Sequence, residues 1–331
     1  MMSKLGPFGN HCPMAAEALI TLGHSEQVIP FVESYKRRFR AIYPDAIQPI
    51  TDKNWKEALG HGERNTDWIT FFNLKLKENE WTQVVTKWTD VLAAGLSAAA
   101  GHGLIRTCHA VRSLSVKQTE LRLRELAEGL GYWAAYYQLL PESQNSGIPK
   151  LRPQEAIARV PLLPAERRTR GSLTSQIKRL VDFQPFSDTV NLLNTNGKVE
   201  QLLSEITETF AITYLKNVTD NNNLGLLHAV TATTGLRSLL PYLSPTTTQK
   251  VLMYGWQAGA ALYSIAGTGS TNEPTEAFAI KKADLIERAV ATKEEHAIKF
   301  TEACLREYAL NPNQAYLQAA HDSLKRLPTF S

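Results

Sequence analysis

The chain has 331 residues, 43% hydrophobic and 21% charged, with a formal net charge of +4. This suits a soluble globular protein with one large core or two modest ones, and it excludes a disordered chain. So small a charge for the size gives no support to a nucleic-acid or membrane partner.

Taken in chain order, residues 1–10 hold no apolar signal-type run. The longest apolar stretch, Val91 to Ile105, is short, interrupted by glycine and carries His102. A cytoplasmic protein, neither exported nor membrane-spanning, is expected. Apolar residues recur at helical spacing nearly everywhere and no long alternating run occurs, so the fold class is read as all-α. Helices are predicted at 12–23, 25–41, 81–100, 102–114, 117–140, 173–183, 187–194, 197–216, 223–241, 246–265, 276–290, 292–309 and 312–325. Ser25 and Ser115 are candidate N-caps, Asn221, Asn222 and Asn223 offer capping amides, and Pro312 suits a first turn. Two segments read as loops: 43–64, with Pro44, Pro49, Gly60 and Gly62, and 141–171, with five prolines and a basic end at Arg167, Arg168 and Arg170. The second loop could separate a pair of helical lobes, but the histidines discussed next fall on both sides of it. One domain over 1–331 is therefore expected.

Cys12, Cys108 and Cys304 are widely spaced, odd in number and set among apolar residues. They read as reduced core thiols, since the paired spacings of a thiolate zinc site are missing.

Four histidines, His11, His102, His228 and His296, each sit in an apolar helical stretch, and Lys299 shares a helix face with His296. A buried neutral imidazole needs a partner for each ring nitrogen, and a metal can be one of them. Four imidazoles and a buried amine thus have the makings of a metal site. The competing reading for each ring is a hydrogen-bonded core histidine, and for Lys299 a salt bridge with Glu295 or Glu302. Imidazole suits Fe(II), Zn(II), Cu(II) or Ni(II), so the metal is not chosen by residue type. Neither Glu17 nor Glu302 falls in the Glu-x-x-His spacing of di-iron bundles, and no His-Glu-x-x-His is present.

Other residues divide by position. His109 lies seven residues past His102, about 10.5 Å along one helix at ~1.5 Å per residue, too far to share its metal. It is a candidate catalytic base, as is His321, whereas His24 and His61 read as surface histidines. Arg106, four residues after His102, could stabilise a phenolate or carboxylate, and Arg237 reads as an ion pair fixing two helices. Tyr132, Trp133, Tyr136 and Tyr137, and likewise Tyr254, Trp256 and Tyr263, could stack on a flat substrate or pack the core. Gly267-Thr268-Gly269 is the nearest approach to a dinucleotide fingerprint, but it lies between helices and reads as a loop. The basic run at 167–170 reads as a solvated loop.

The motifs Asn10-His11-x-x-Met14-Ala-x-x-Ala-Leu, His102-Gly-Leu-Ile-Arg106, Leu227-His228-Ala-Val-Thr231 with Leu236-Arg237, and His296-x-x-Lys299-x-x-Glu302-Ala occur in that order from residue 10 to about 310. In this the chain resembles the questin oxidase-like family. The resemblance implies an atypical nonheme iron dioxygenase that opens a ring of an anthraquinone- or polyketide-type aromatic in secondary metabolism, with O2 as co-substrate. It also implies Fe(II) held by His11, His102, His228, His296 and a carboxylated Lys299. Chemistry supports the last role, because burial disfavours the ammonium and a neutral amine can add CO2 to become an anionic ligand. Five ligands leave one octahedral position, so the substrate would dock beside the metal. The chain begins almost at the first histidine motif and is more compact than fungal members, so a substrate pocket different from theirs is expected and anthraquinone specificity does not follow. Rival readings are a cofactor-free or NADPH-assisted Baeyer–Villiger-type oxidase, a zinc hydrolase, and a noncatalytic helical protein that binds a hydrophobic ligand.

Overall fold

Apolar side chains spaced three and four apart accompany helices over most of the described residues. The structure, a computed structural model, describes residues 3–4, 9–40, 43–145, 147–168, 171–271 and 280–330. Among these, the one strand ladder is a two-residue parallel pairing of β1 (Ser3–Lys4) with β2 (Phe39–Arg40). The first half carries α1 (Cys12–Thr21), α2 (Val28–Arg38), α3 (Trp55–Ala58), α4 (Asn65–Glu78), α5 (Trp81–Leu92), α6 (His102–Val116) and α7 (Glu120–Ala135). After the short α8 (Pro153–Ala156) and α9 (Leu173–Ile177) come α10 (Val199–Asn217), α11 (Asn223–Gly235), α12 (Pro245–Ala266), α13 (Lys282–Thr292), α14 (Glu295–Leu310) and α15 (Gln314–Arg326). No helix among the described residues is long and apolar enough to cross a membrane.

The all-α reading holds, with local corrections. Helix α4 is absent from the predicted set, although Trp68, Phe71, Phe72 and Leu76 on its buried face keep helical spacing. Its aromatic and β-branched residues are weak helix formers, so packing rather than propensity makes this helix. The helix expected over 81–100 stops at Leu92. Beyond it, Ala99, Ala100 and Gly101 take positive φ values of 48°, 59° and 84°, a left-handed run that turns the chain into α6. His102 therefore opens a helix. The 187–194 segment is a 3-10 helix over Gln184–Asn191, and the helix expected to reach 241 leaves α-geometry after Gly235. Residues 276–279, the expected start of the next helix, lie outside the described residues, as does Arg170.

The caps also differ. Ser25 begins a 3-10 turn, and Ser115 lies inside α6 while Thr119 caps α7. Asn222 sends its amide to the Asn217 and Ala266 carbonyls, and Asn313, one residue past Pro312, caps α15.

A continuous set of buried apolar side chains runs from Met14 to Ala320, drawing on both sides of the 141–171 loop. Trp68, Phe71 and Phe72 close around Trp88, with ring centroids 4.9 to 5.8 Å apart. The loop itself is tied down where Leu163 N–H donates to Ser264 O at 2.8 Å and Ser264 Oγ donates to Pro161 O at 2.6 Å. Within this frame α1 packs on α6, α6 on α11, α11 on α14 and α14 on α1, closing a ring of four helices. Gly103 lets α7 approach α6 here, because a Cβ on it would sit 2.5 Å from Trp133 Cα.

Candidate metal centre

The ring of four helices carries the four histidines in the same cyclic order. His11 stacks on His102 (centroids 4.7 Å), His102 neighbours His228 (4.6 Å), His228 neighbours His296 (5.3 Å), and His296 meets His11 edge-on (4.7 Å). All four are buried, as is Lys299 one turn along α14 from His296. Local structure places three of them at helix starts. His11 is the N-cap of α1, His102 the first residue of α6 and His296 the second of α14. Pro13 fixes the first turn of α1, and Asn10 Oδ1 accepts the Cys12 N–H at 3.1 Å.

Hydrogen bonds set the tautomers. A carbonyl can only accept, so His102 Nδ1 donates to Ala99 O and His228 Nδ1 donates to Leu224 O, each at 2.5 Å. His296 Nδ1 pairs with Glu294 Oε1 at 2.7 Å. The neutral His102 and His228 rings then present Nε2 as a bare lone pair. His102 Nε2 and His228 Nε2 nevertheless face each other at 3.2 Å, and the buried His11 Nε2 has no hydrogen-bond partner among the described residues. Protonation does not rescue this arrangement. Burial first, then the Lys299 charge, pulls His102 down to about 3. Burial likewise holds His11 and His228 well below the usual histidine range.

A shared cation would resolve the conflict. Ligand atoms of His11, His102 and His296 lie within 4.8 Å of one another. Two nitrogens each ~2.1 Å from one metal and at a right angle would be about 3.0 Å apart, close to the His102–His228 separation. The residues present thus fit a metal ion. Carboxylates back the rings: Glu294 holds His296, and Glu295 Oε1 lies 3.6 Å from His11 Nδ1 and is also met by Arg38. Burial opposes ionisation of Glu294, but His296 and the Ala297 N–H outweigh it and lower its carboxyl.

Lys299 is brought down to about 8 by burial, against the pull of Glu295 and Glu294. Among the described residues it has no carboxylate within ion-pair distance. Glu302 instead takes Arg112 (2.8 Å) and Arg306 (3.0 Å), and Glu295 takes Arg38. A cavity of about 10 Å³ beside Lys299, lined also by His109, Arg112, Thr231 and Glu302, has room for about one water.

The other residues singled out in the sequence lie as follows. Arg106 is buried and gives Nε and Nη2 to Glu125 at 2.6 and 2.8 Å and Nη2 to Glu128 at 2.6 Å. His109 Nδ1 donates to Glu17 Oε2 at 2.7 Å. Arg237 pairs with Glu307 at 2.8 Å, the helix-fixing role expected of it. His24 and His61 sit beside Glu26 and Glu63 near the surface, and His321 beside Arg288. Trp133 and Trp256 are core residues whose indole N–H groups reach the Gly95 and Thr189 carbonyls. Tyr132 leans on Tyr136 (4.6 Å), and Tyr137, Tyr254 and Tyr263 pack partly buried against the core.

The Gly267 loop wraps Asn217 Oδ1 with the N–H groups of Thr268, Gly269 and Ser270, which commits them to an internal partner. Arg168 ties Leu163 O to Gly267 O. The three cysteines are free, and burial raises the Cys12 thiol to about 11 and the Cys108 thiol to about 12. Two partners escaped sequence reasoning, Glu294 behind His296 and Glu17 on His109. The run Glu294-Glu295-His296 was the available signal for the first.

Comparison with curated proteins finds no match. The family model described as questin oxidase-like matches residues 8–304, a span that contains all four histidines and Lys299. The chain accordingly belongs to the questin oxidase-like family, and so to the oxidoreductases.

Proposed function

We propose that the chain is an Fe(II)-dependent oxygenase that cleaves a C–C bond of a hydroxylated, anthraquinone- or polyketide-like aromatic, with His11, His102, His228, His296 and Lys299 holding the metal. The observation that carries this reading is the approach of two unprotonated nitrogens, His102 Nε2 and His228 Nε2, to 3.2 Å inside the protein. Family membership supports the oxidative chemistry and the aromatic substrate class. Ferrous iron, when bound, supplies the one-electron chemistry that O2 needs.

The chain's own residues prepare the site for that ion. Carbonyls of Ala99 and Leu224 and the carboxylate of Glu294 fix three rings with Nε2 inward. Burial keeps His102 and His228 neutral, as a ligand must be. Lys299, brought down to about 8, offers part of its population as free amine near neutral pH. In this reading its Nζ forms a bond to the carbon of CO2 and loses a proton, giving a carbamate that supplies the anionic ligand. Arg106, saturated by Glu125 and Glu128, acts by holding α7 against α6 behind His102.

Protein loaded anaerobically with ferrous salt and then desalted should retain about one iron per chain. His228→Ala should strip it, and oxygen uptake should follow on addition of hydroxylated polycyclic aromatics. Failure to retain any metal after loading would favour a noncatalytic ligand-binding protein. Metal retention without O2 consumption would favour a hydrolase.

A further inference from the structure

A second, partly buried polar layer lies further along the same four helices. On α1, Glu17 takes both Nε and Nη2 of Arg112 from α6 and the Nδ1–H of His109 from the same helix. The remaining arm of Arg112, Nη1, crosses to Glu302 of α14 at 2.8 Å. Glu302 is shared with Arg306, four residues on, whose Nη1 donates to Thr234 O of α11 at 3.2 Å. One connected network thus touches all four helices that bear the histidines. Its charges are firmly held: burial opposes ionisation of Glu17, but His109 and Arg112 bring it down to about 2, and Arg306 and Arg112 lower Glu302 against burial.

The network sits on the ligand helices at fixed offsets. Arg112 is ten residues from His102, about 15 Å down α6, whereas Glu302 is three from Lys299, about 4.5 Å down α14. A shift of α14 against α1 or α6 would displace His296 and Lys299 relative to His11 and His102. The fork of Arg112 opposes that shift with directional bonds to two carboxylates on two helices.

We infer that Arg112 is a positioning residue for the metal centre, holding α1, α6 and α14 in the register at which the four imidazoles and Lys299 converge. It lines the small cavity beside Lys299 but its hydrogen bonds go to Glu17, Glu302 and His109 rather than to a ligand, and its effect on the ion passes through helix placement. The inference rests on the metal-binding reading above.

The test measures Co(II) affinity by chelator competition, together with the Co(II) absorption spectrum, on the full chain at a temperature where near-ultraviolet circular dichroism shows it folded. Arg112→Met should weaken Co(II) binding by about 10- to 100-fold and alter the ligand-field bands. Arg112→Lys, which keeps the charge but loses the fork, should fold and fall between Met and wild type. Arg237→Met breaks a comparably buried pair to Glu307 on the same α14 and should bind Co(II) within about threefold of wild type despite lower stability. Wild-type affinity and spectrum in both Arg112 variants would overturn the inference. An equal loss in Arg237→Met would do so as well, by showing that any buried pair has the same effect. Wild-type protein failing to bind Co(II) would instead sink the metal reading, and this inference with it.

Discussion

Two buried polar clusters begin one turn apart on α6 and have opposite character. At Arg106 a guanidinium meets Glu125 and Glu128, Tyr43 donates to Glu128, and donors and acceptors are matched within the protein. At His102 the matching is incomplete on one side only. Every outward nitrogen that has been fixed has an acceptor, while inward nitrogens confront one another or stand alone. The contrast is what the proposed metal-binding reading turns on. The first cluster is closed by its own residues, and on that reading the second closes around an ion.

Acid should separate the two clusters most sharply. Unfolded histidines take up a proton below about pH 6.5, whereas folded His102 does so only near 3, and His11 and His228 are held down in the same direction. The unfolded state binds more protons in that window, so metal-free protein should lose stability as pH falls through 6.5. The slope is up to about 1.4 kcal/mol per pH unit for each ring. The melting temperature of chelator-stripped protein at pH 7 and pH 5.5 reads this out. Glu125, whose carboxyl burial raises against the pull of Arg106, acts with the opposite sign.

Mutation sharpens the same contrast. Arg106→Met should cost about 3 kcal/mol in denaturant unfolding by stranding buried Glu128 and half-buried Glu125, with metal content preserved. His102→Leu should abolish metal retention yet leave the metal-free protein as stable as wild type or more so, because it removes one of two facing lone pairs. A large loss of metal-free stability in His102→Leu would mean that the ring is an ordinary core histidine. Next in size, Glu294→Gln should weaken metal binding about 10-fold or more, measured by chelator competition, since it removes the carboxylate behind His296. Smallest, Ala100→Gly should stabilise the fold by about 1 kcal/mol, because glycine accepts the φ of 59° that alanine resists. The gain would appear in the unfolding midpoint.

Helical periodicity made the all-α class and most of the long helices legible, including α6, α10, α12 and α14. What it could not supply was any local break whose cause is tertiary. The Ala93–Gly101 stretch reads as a good helix by composition, and only the docked structure turns it left-handed before His102. Conversely α4 was hidden by its aromatic residues, although their spacing was readable. The four histidines and Lys299 stood out because polar groups in apolar helices need partners. Their cyclic order, and the identity of the residues behind them, depend on which helices meet. The destination of Arg106 shows the limit best, since four residues from His102 it still faces α7 rather than the imidazoles. Glu17 was weighed only as a ligand by spacing and Glu302 as a ligand or as an ion-pair partner of Lys299, and their bonds to Arg112 required coordinates.

His11 and Lys299 stand at nearly opposite ends of the described chain yet border one cluster. At synthesis rates of roughly 5–20 residues per second, well over ten seconds separate the emergence of the first ligand from that of the last. An ion arriving early would find only His11 and His102, a pair with little power to choose among divalent metals. On the metal-binding reading proposed above, full selectivity would arise only once α14 has docked, so correct loading would belong to the finished protein, and growth with excess copper or zinc during translation is the condition under which mismetallation should be greatest.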